Sequence, residues 1–588
     1  MEVRSVLVSI LAGVLMSLPA PGSSAMEPDS MSVSREYVRA VKGKPLSVNA
    51  SVMSDTGLDF DAESFLPVNS RWNTGISGHA SGNIRTFDCN HDSFMDEPEM
   101  LRFSLANAWK YRSDNGIHVD FGAGASRDVS HGGQKGYDRN RYQEWSVNGA
   151  SDDPWGADII NSSIDGFADV RIPLSDDNSK IFSVSADYAY TDTGSWFGAS
   201  SWSDSRHSVS GDVIYRHMIS PAHTFAVGAR GDFDRYDSHI DRLVRSASPD
   251  PGTGLMQEHY DNRTVCSIAV LGVSGEYVFR AGDRFSSVAR LGCDWYSGSG
   301  VKLSPSLALR YSPARQFVLA LGVERKLGHA SPLADNMGVF MTGKVFRGNF
   351  EDRILEDAWL FNGSLKYYLP FGASRDTYIS IGYSRTSYAQ QQIVDYEHIR
   401  NAISFYALDG KDSYSDSYRI DFNVEPVKRL KVSASFRYTG AKMELEGRGL
   451  VEKPMTKRYI GVLDMRYSTA ADRWTFGVMA SVNGPCRVYD FMKGLRDAGG
   501  HLLYADGHTP VYPLVNLQIT RRFKSVEIYL GGENLTNFRQ KDILVGARDS
   551  ATGLVSPHQP SFDASAVWGP VTGIKIYAGI RYTLSRGR

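Results

Sequence analysis

Along much of this chain apolar and polar residues alternate one for one. Near the C-terminus, Ile574, Ile576, Ala578, Ile580, Tyr582 and Leu584 interleave with Lys575, Tyr577, Gly579, Arg581 and Thr583. A period of two sends successive side chains to opposite faces of an extended strand, so the segment predicts one oily and one polar face. The stripe recurs in Trp474, Phe476, Val478, Ala480 and Val482, and again in Leu430, Val432, Ala434, Phe436 and Tyr438. Val526, Ile528 and Leu530 form a further one, as do Phe182, Val184, Ala186 and Tyr188.

Two kinds of connection separate such segments. Short polar turns are read at 68–70, 112–116, 174–180, 219–223, 279–284, 312–316, 370–376, 425–430, 468–473 and 521–525. Long connections are read at 127–160, 236–262, 327–355, 386–418 and 538–573. Tight turns at one end and long loops at the other are the asymmetry of outer-membrane barrels, with the turns periplasmic. With both termini periplasmic, about ten such turns predict an all-β transmembrane antiparallel barrel of about 22 strands, spanning 44–584. A soluble sandwich or propeller also has many short strands. Those folds bury one face and require neither an aromatic lipid stripe nor loops so unequal.

Composition narrows the class further. The chain has 588 residues, of which 42% are hydrophobic, with 30 Tyr, 27 Phe, 10 Trp and 56 Gly spread along its length, as aromatic girdles and closely paired strands require. After residue 25 no run approaches the roughly 18 to 20 apolar residues of a spanning helix. The N-terminus reads as a secretory signal over 1–25, with Arg4 as basic region, an apolar run from Val6 to Leu18, and Ser23 and Ala25 at the cleavage site. A short segment, 26–43, precedes the first alternation at Leu46, Val48, Ala50 and Val52, and a tail, 585–588, follows the last. A net charge of −2 gives no reason to expect nucleic acid as a partner. Cys89, Cys266, Cys293 and Cys486 show no metal-ligand spacing; disulfides in an oxidising periplasm stay open, without a pairing.

The string Gly532-Glu533-Asn534-Leu535-Thr536-Asn537 resembles the E-N-L-x-N signature that TonB-dependent outer-membrane receptors carry at the end of the penultimate strand, and Tyr577 to Leu584 resembles their closing strand. Trp474 with Val482-Asn483-Gly484-Pro485, Glu356-Asp357-Ala358-Trp359 and Asp92-Ser93-Phe94-Met95-Asp96 resemble strings these receptors carry elsewhere. The resemblance covers most of the chain and implies uptake of a scarce nutrient (siderophore-iron, haem, a vitamin or similar), binding in the outer loops and lumen wall, no enzyme activity, and outer-membrane lipid, the barrel-assembly machinery and TonB as partners. Leu584 stands where the closing strand usually ends in an aromatic. Resembling receptors also fold a plug domain inside the barrel, and alternation beginning at Leu46 leaves no room for one. Three readings stay open: a truncated or rearranged receptor, a plug supplied by a separate chain, or a plugless passive pore or docking barrel, for instance for a surface lipoprotein.

Two local sets are candidate sites. Asp88, Asn90, Asp92, Asp96 and Glu99 occupy relative positions 1, 3, 5, 9 and 12 of an EF-hand-like calcium loop, whose alternate oxygens converge on one hard cation. Ser93 stands where the sharp turn favours Gly, Pro98 precedes Glu99, and a solvated acidic loop fits the same residues. Calcium is the one candidate ion, and no cofactor is required. The second set, Tyr142, Trp145, Trp155, Trp196, Phe197 and Trp202, could stack on a flat ligand. The same rings also suit the upper aromatic girdle at the membrane interface. No H-E-x-x-H, G-x-S-x-G, Walker or G-x-G-x-x-G string is present.

Overall fold

The computed structural model describes residues 45–584 apart from 84, 89–92, 142–144, 147–148, 151–152, 248–254, 343, 374–375, 400–401, 410–412, 496–500 and 541–563, with only the backbone at 145–146, 149–150, 244–247, 255–258 and 564. The signal, the 26–43 segment and the tail lie outside the described residues. The rest is an all-β, 22-strand antiparallel barrel. It closes where the first strand, Leu46–Met53, pairs antiparallel with the last, Lys575–Leu584, from Leu46 opposite Leu584 to Met53 opposite Tyr577. All ten short connections read from the sequence are turns between consecutive wall strands, gathered at one end. The first described strand, Leu46–Met53, is already part of the wall.

The outer surface is the oily face. Ile576 is 53% exposed and Leu530 56%, and Phe60, Leu101, Phe233, Leu271, Ile381, Phe436 and Ile528 are likewise exposed. Apolar exposure on this scale, running around a closed wall, belongs in lipid. Inward faces are polar and tightly fitted. Tyr529 lies directly across from Gly579, and Tyr577 from Gly531, on the lumen side. A Cβ at either glycine would come within 2.3 Å of the opposing ring, so hydrogen is the only side chain that admits the tyrosine. At the exit of the penultimate strand, Val526–Glu533, Asn534 and Asn537 both adopt left-handed backbone, with φ of 48° and 54°. The Asn534 amide donates to the Phe538 and Thr572 carbonyls, while its oxygen accepts from Thr536 and from the Phe538 N–H. The E-N-L-x-N string is thus a local knot that ties the departing loop to its return.

The other end departs from the sequence reading. Residues 236–262 are not a loop: strands His223–Ala247 and Leu255–Ala281 stay paired up to Ala247 opposite Leu255. The lipid stripe stops there while the ladder continues, because the outward positions become charged. Arg263 pairs with Asp237 at 2.6 Å, His239 with Asp261 at 2.9 Å and His259 with Asp241 at 2.9 Å. Cross-strand pairs of opposite charge replace apolar contacts and carry the hairpin beyond the membrane. Likewise 127–160 stays paired to Gly133 opposite Gly156, and part of 386–418 is strand, in Tyr378–Asp395 and Ala402–Asp409. Cys266, Cys293 and Cys486 are free thiols.

Candidate functional site

The mouth at the loop end is built from inward side chains of the wall and from one loop that folds in over them. On strand Ser200–Ser220, Val209 and Val213 face out, so Trp202, Asp204 and Arg206 face in. By register Trp202 lies opposite Ile240, which also faces in. The connection 330–354 descends against this surface with a 3-10 turn, Ala334–Met341, and a short strand, Val345–Gly348, which pairs in parallel with Ala402 to Phe405. Phe197, Trp202 and Ile240 of the wall enclose Leu333, Val339, Phe340, Phe346 and Phe350 of the loop, with Ile403 and Phe405 beside them. Phe340 stacks on Phe197 at 5.2 Å, only 6° from parallel. Burying each such side chain contributes roughly 1.5–3 kcal/mol, so the loop is held by its own core.

Charged groups fasten it at three points. Arg242, from the inner wall, donates to the carbonyls of Thr342 and Lys344 and lies 3.9 Å over the Phe346 ring. Arg353, from the loop, pairs with Asp204, donates to Ser331 and rests 3.5 Å over Tyr236. The Glu351 carboxylate accepts from Tyr260, Asn262 and Thr264 on one wall strand. Burial, and then the bond to Glu351, push the Tyr260 phenol up to about 12. Between loop and wall runs a cleft lined by Trp202, Ser238, Cys266, Pro332, Phe350 and Arg353, among others.

A second bundle forms from the remaining loops. Arg487 grips Glu397 through both carboxylate oxygens at 2.9 Å, Arg448 reaches the same carboxylate at 3.6 Å, and the Asp490 N–H donates to it. Burial pushes the Asp490 carboxyl up, but the combined bonds and charges of Lys493 and Arg448 outweigh it and hold the group below the ordinary range. Val488, Met492, Tyr504 and Ala566 pack beneath, with Trp568 bonded to the Tyr504 hydroxyl. Ala334–Met341 of the first bundle meets Ala564–Ala566 of the second. Six wall strands, from Tyr378–Asp395 to Tyr512–Arg522, separate the two parent hairpins, so the contact bridges the lumen instead of following the rim.

The described residues among those singled out from sequence have the following places. Asp88 pairs with Lys135 at 2.6 Å, and Glu99 accepts from the Thr86 hydroxyl at 2.7 Å. The Asp96 N–H donates to the Phe87 carbonyl, and Ser93 takes the left-handed backbone, φ 72°, that a glycine would favour. Asn90 and Asp92 lie outside the described residues, so the calcium reading rests on the sequence alone. Among the aromatics, Tyr142 is also outside them, and Trp145 is seen only as backbone in a two-residue strand, Trp145–Ser146. Trp155 packs half-buried on the loop core. Trp196 and Phe197 are neighbours on a strand and go to opposite faces: Trp196 turns outward beneath Arg139, 4.2 Å away, while Phe197 turns in. Phe197 and Trp202 are each 3% exposed and stack on Phe340, so their faces are already occupied. Sequence reasoning passed over Arg242, Glu351, Arg353, Glu397 and Arg487. One signal was there: Val339, Phe340, Met341, Val345, Phe346 and Phe350 make 327–355 too apolar for a solvated loop.

Neither protein-family models nor curated proteins yield a match to this chain. Solved structures do. The siderophore receptor PiuA from Acinetobacter baumannii superposes with a TM-score of 0.63 at 10% identity, over 92% of this chain and 82% of that one. A single-residue mutant of the ferric enterobactin receptor PfeA from Pseudomonas aeruginosa, solved with enterobactin, gives 0.64 at 13% identity over the same shares. The ferric-catecholate import receptor Fiu from E. coli gives 0.62 at 10% identity, again over 92% and 82%. At such identities the likeness is one of architecture, and on that ground the chain shares its fold with the TonB-dependent siderophore receptors.

Proposed function

We propose that this chain is an integral outer-membrane uptake barrel, loop end outward, that admits a scarce small nutrient of the siderophore-iron, haem or vitamin class. The observation that carries the reading is the bridged mouth: a wall of receptor size whose loops meet over the lumen places a built surface where an external solute arrives. The solved structures this chain superposes on include siderophore receptors, and a roof with its own core is suited to holding a solute before passage. The test is accumulation of radiolabelled ferric enterobactin, haem and cobalamin by cells lacking their own receptors and expressing this chain. Uptake of one of them above barrel-free cells is expected. No excess with any of the three overturns the reading.

A further inference from the structure

Strand Gly57–Pro67 turns Leu58 and Phe60 to the lipid, so Asp59 and Asp61 face the lumen. Register with Trp72–Asn83 places His79 directly opposite Asp61, and Ser81 opposite Asp59. His79 Nδ1 lies 2.7 Å from Asp61 Oδ1 and 3.9 Å from Asp59 Oδ2. One imidazole nitrogen and two carboxylate oxygens therefore lie within 4.8 Å of one another. Like charges two residues apart on one strand face repel, and a shared cation relieves them.

The surroundings are arranged as a ligand set requires. Ser81 Oγ is 3.0 Å from His79 Nε2, fixing the ring and leaving Nδ1 to face the carboxylates. The Asn49 amide donates to the second oxygen of Asp61 at 3.4 Å, and its own oxygen accepts from the Tyr529 hydroxyl at 2.9 Å. That chain runs from the triad across the seam where the barrel closes. We propose that Asp59, Asp61 and His79 form a binding site for a divalent transition-metal ion of zinc-like chemistry, with its remaining coordination positions open to the lumen. Mixed nitrogen and carboxylate ligands suit such an ion, whereas calcium takes six to eight oxygens. The ion joins the second and third strands beside the seam.

The whole chain in detergent micelles, titrated with zinc chloride and separately with calcium chloride, tests this, and cobalt chloride gives a visible absorption band that reports the ligand geometry. One zinc per barrel is expected, with calcium not competing. His79→Gln and Asp59→Asn should each weaken zinc more than tenfold, and Ser81→Ala about tenfold through loss of ring orientation. The slower or faster gel mobility of the unboiled barrel reports folding. If His79→Gln does not fold, Asp59→Asn and Ser81→Ala carry the same test, since each changes only a side chain and leaves the backbone hydrogen bonds of the wall ladder in place. Zinc affinity unchanged in the folded variants means adventitious histidine binding only and overturns the proposal, as does calcium binding the triad as tightly as zinc.

Discussion

Glu351 is one carboxylate serving three wall side chains, Tyr260, Asn262 and Thr264, and hydrogen bonds to a charged group are worth about 1.5–3 kcal/mol each. Those bonds are not additive, so Glu351→Ala should weaken docking of the 330–354 loop by about 2–4 kcal/mol. Trypsin should then cut at Arg347 or Arg353 at least tenfold faster while the wall stays folded; an unchanged digestion pattern would show that the apolar core alone holds the loop. Tyr260 adds a pH dependence whose sign is determined by its raised pKa. The folded state favours the protonated phenol, so its contribution is complete below 10.0 and is lost as pH rises from there toward about 12. Protease susceptibility of the loop should rise across that window in the parent and stay level in Tyr260→Phe. None of this was legible in the sequence, because Glu351 and its three donors are some ninety residues apart and meet only when a loop folds inward. The opposite fates of Trp196 and Phe197 were legible in principle, since a period of two forces them apart once both are assigned to one strand.

At the level of elements the turns were easy and the loops hard, for one physical reason. A short turn is bounded on both sides by lipid-facing residues, so Phe279 and Phe285 or Phe523 and Ile528 mark its limits. Beyond the lipid, a strand has no cause to alternate, and 236–262 looks like a loop although it is a charged ladder. The short parallel pair of Val345–Gly348 with Ala402 to Phe405 had no signal at all, since it joins two loops from different hairpins. Gly348 is its weak point: φ is 85°, and a Cβ would sit 2.1 Å from the Phe405 carbonyl oxygen. Gly348→Ala should cost the pair about 1–3 kcal/mol from backbone strain, and more from the clash. The expected result is faster hydrogen exchange at 345–348 and 402–405 with no change in the wall; equal protection in both proteins would refute it.

For the molecule as a whole, closure at the seam and bridging at the mouth make different statements about permeability. A closed wall of this size encloses a lumen wide enough for small solutes, yet Ala334–Met341 and Ala564–Ala566 meet across it. In planar bilayers the parent should therefore show small conductance steps, and deletion of 331–353 should enlarge them several-fold. Large, voltage-insensitive steps in the parent would instead favour the passive-pore reading. The barrel class, its strand number and its closing strand were open to reading from alternation and the count of short turns, whereas the roof was not, because loops obey no period. One feature of that roof also governs how such a protein can change. Glu397 is shared by arms from three different hairpins, its own and those that carry Arg448 and Arg487. A graft that imports one of these arms from another barrel would strand a nearly dry carboxylate without its guanidinium, an imbalance of several kcal/mol. The arms are therefore inherited as a set, and specificity on this scaffold is expected to shift by exchange of the whole crown or by point changes outside the Glu397 junction, not by swapping loops one at a time.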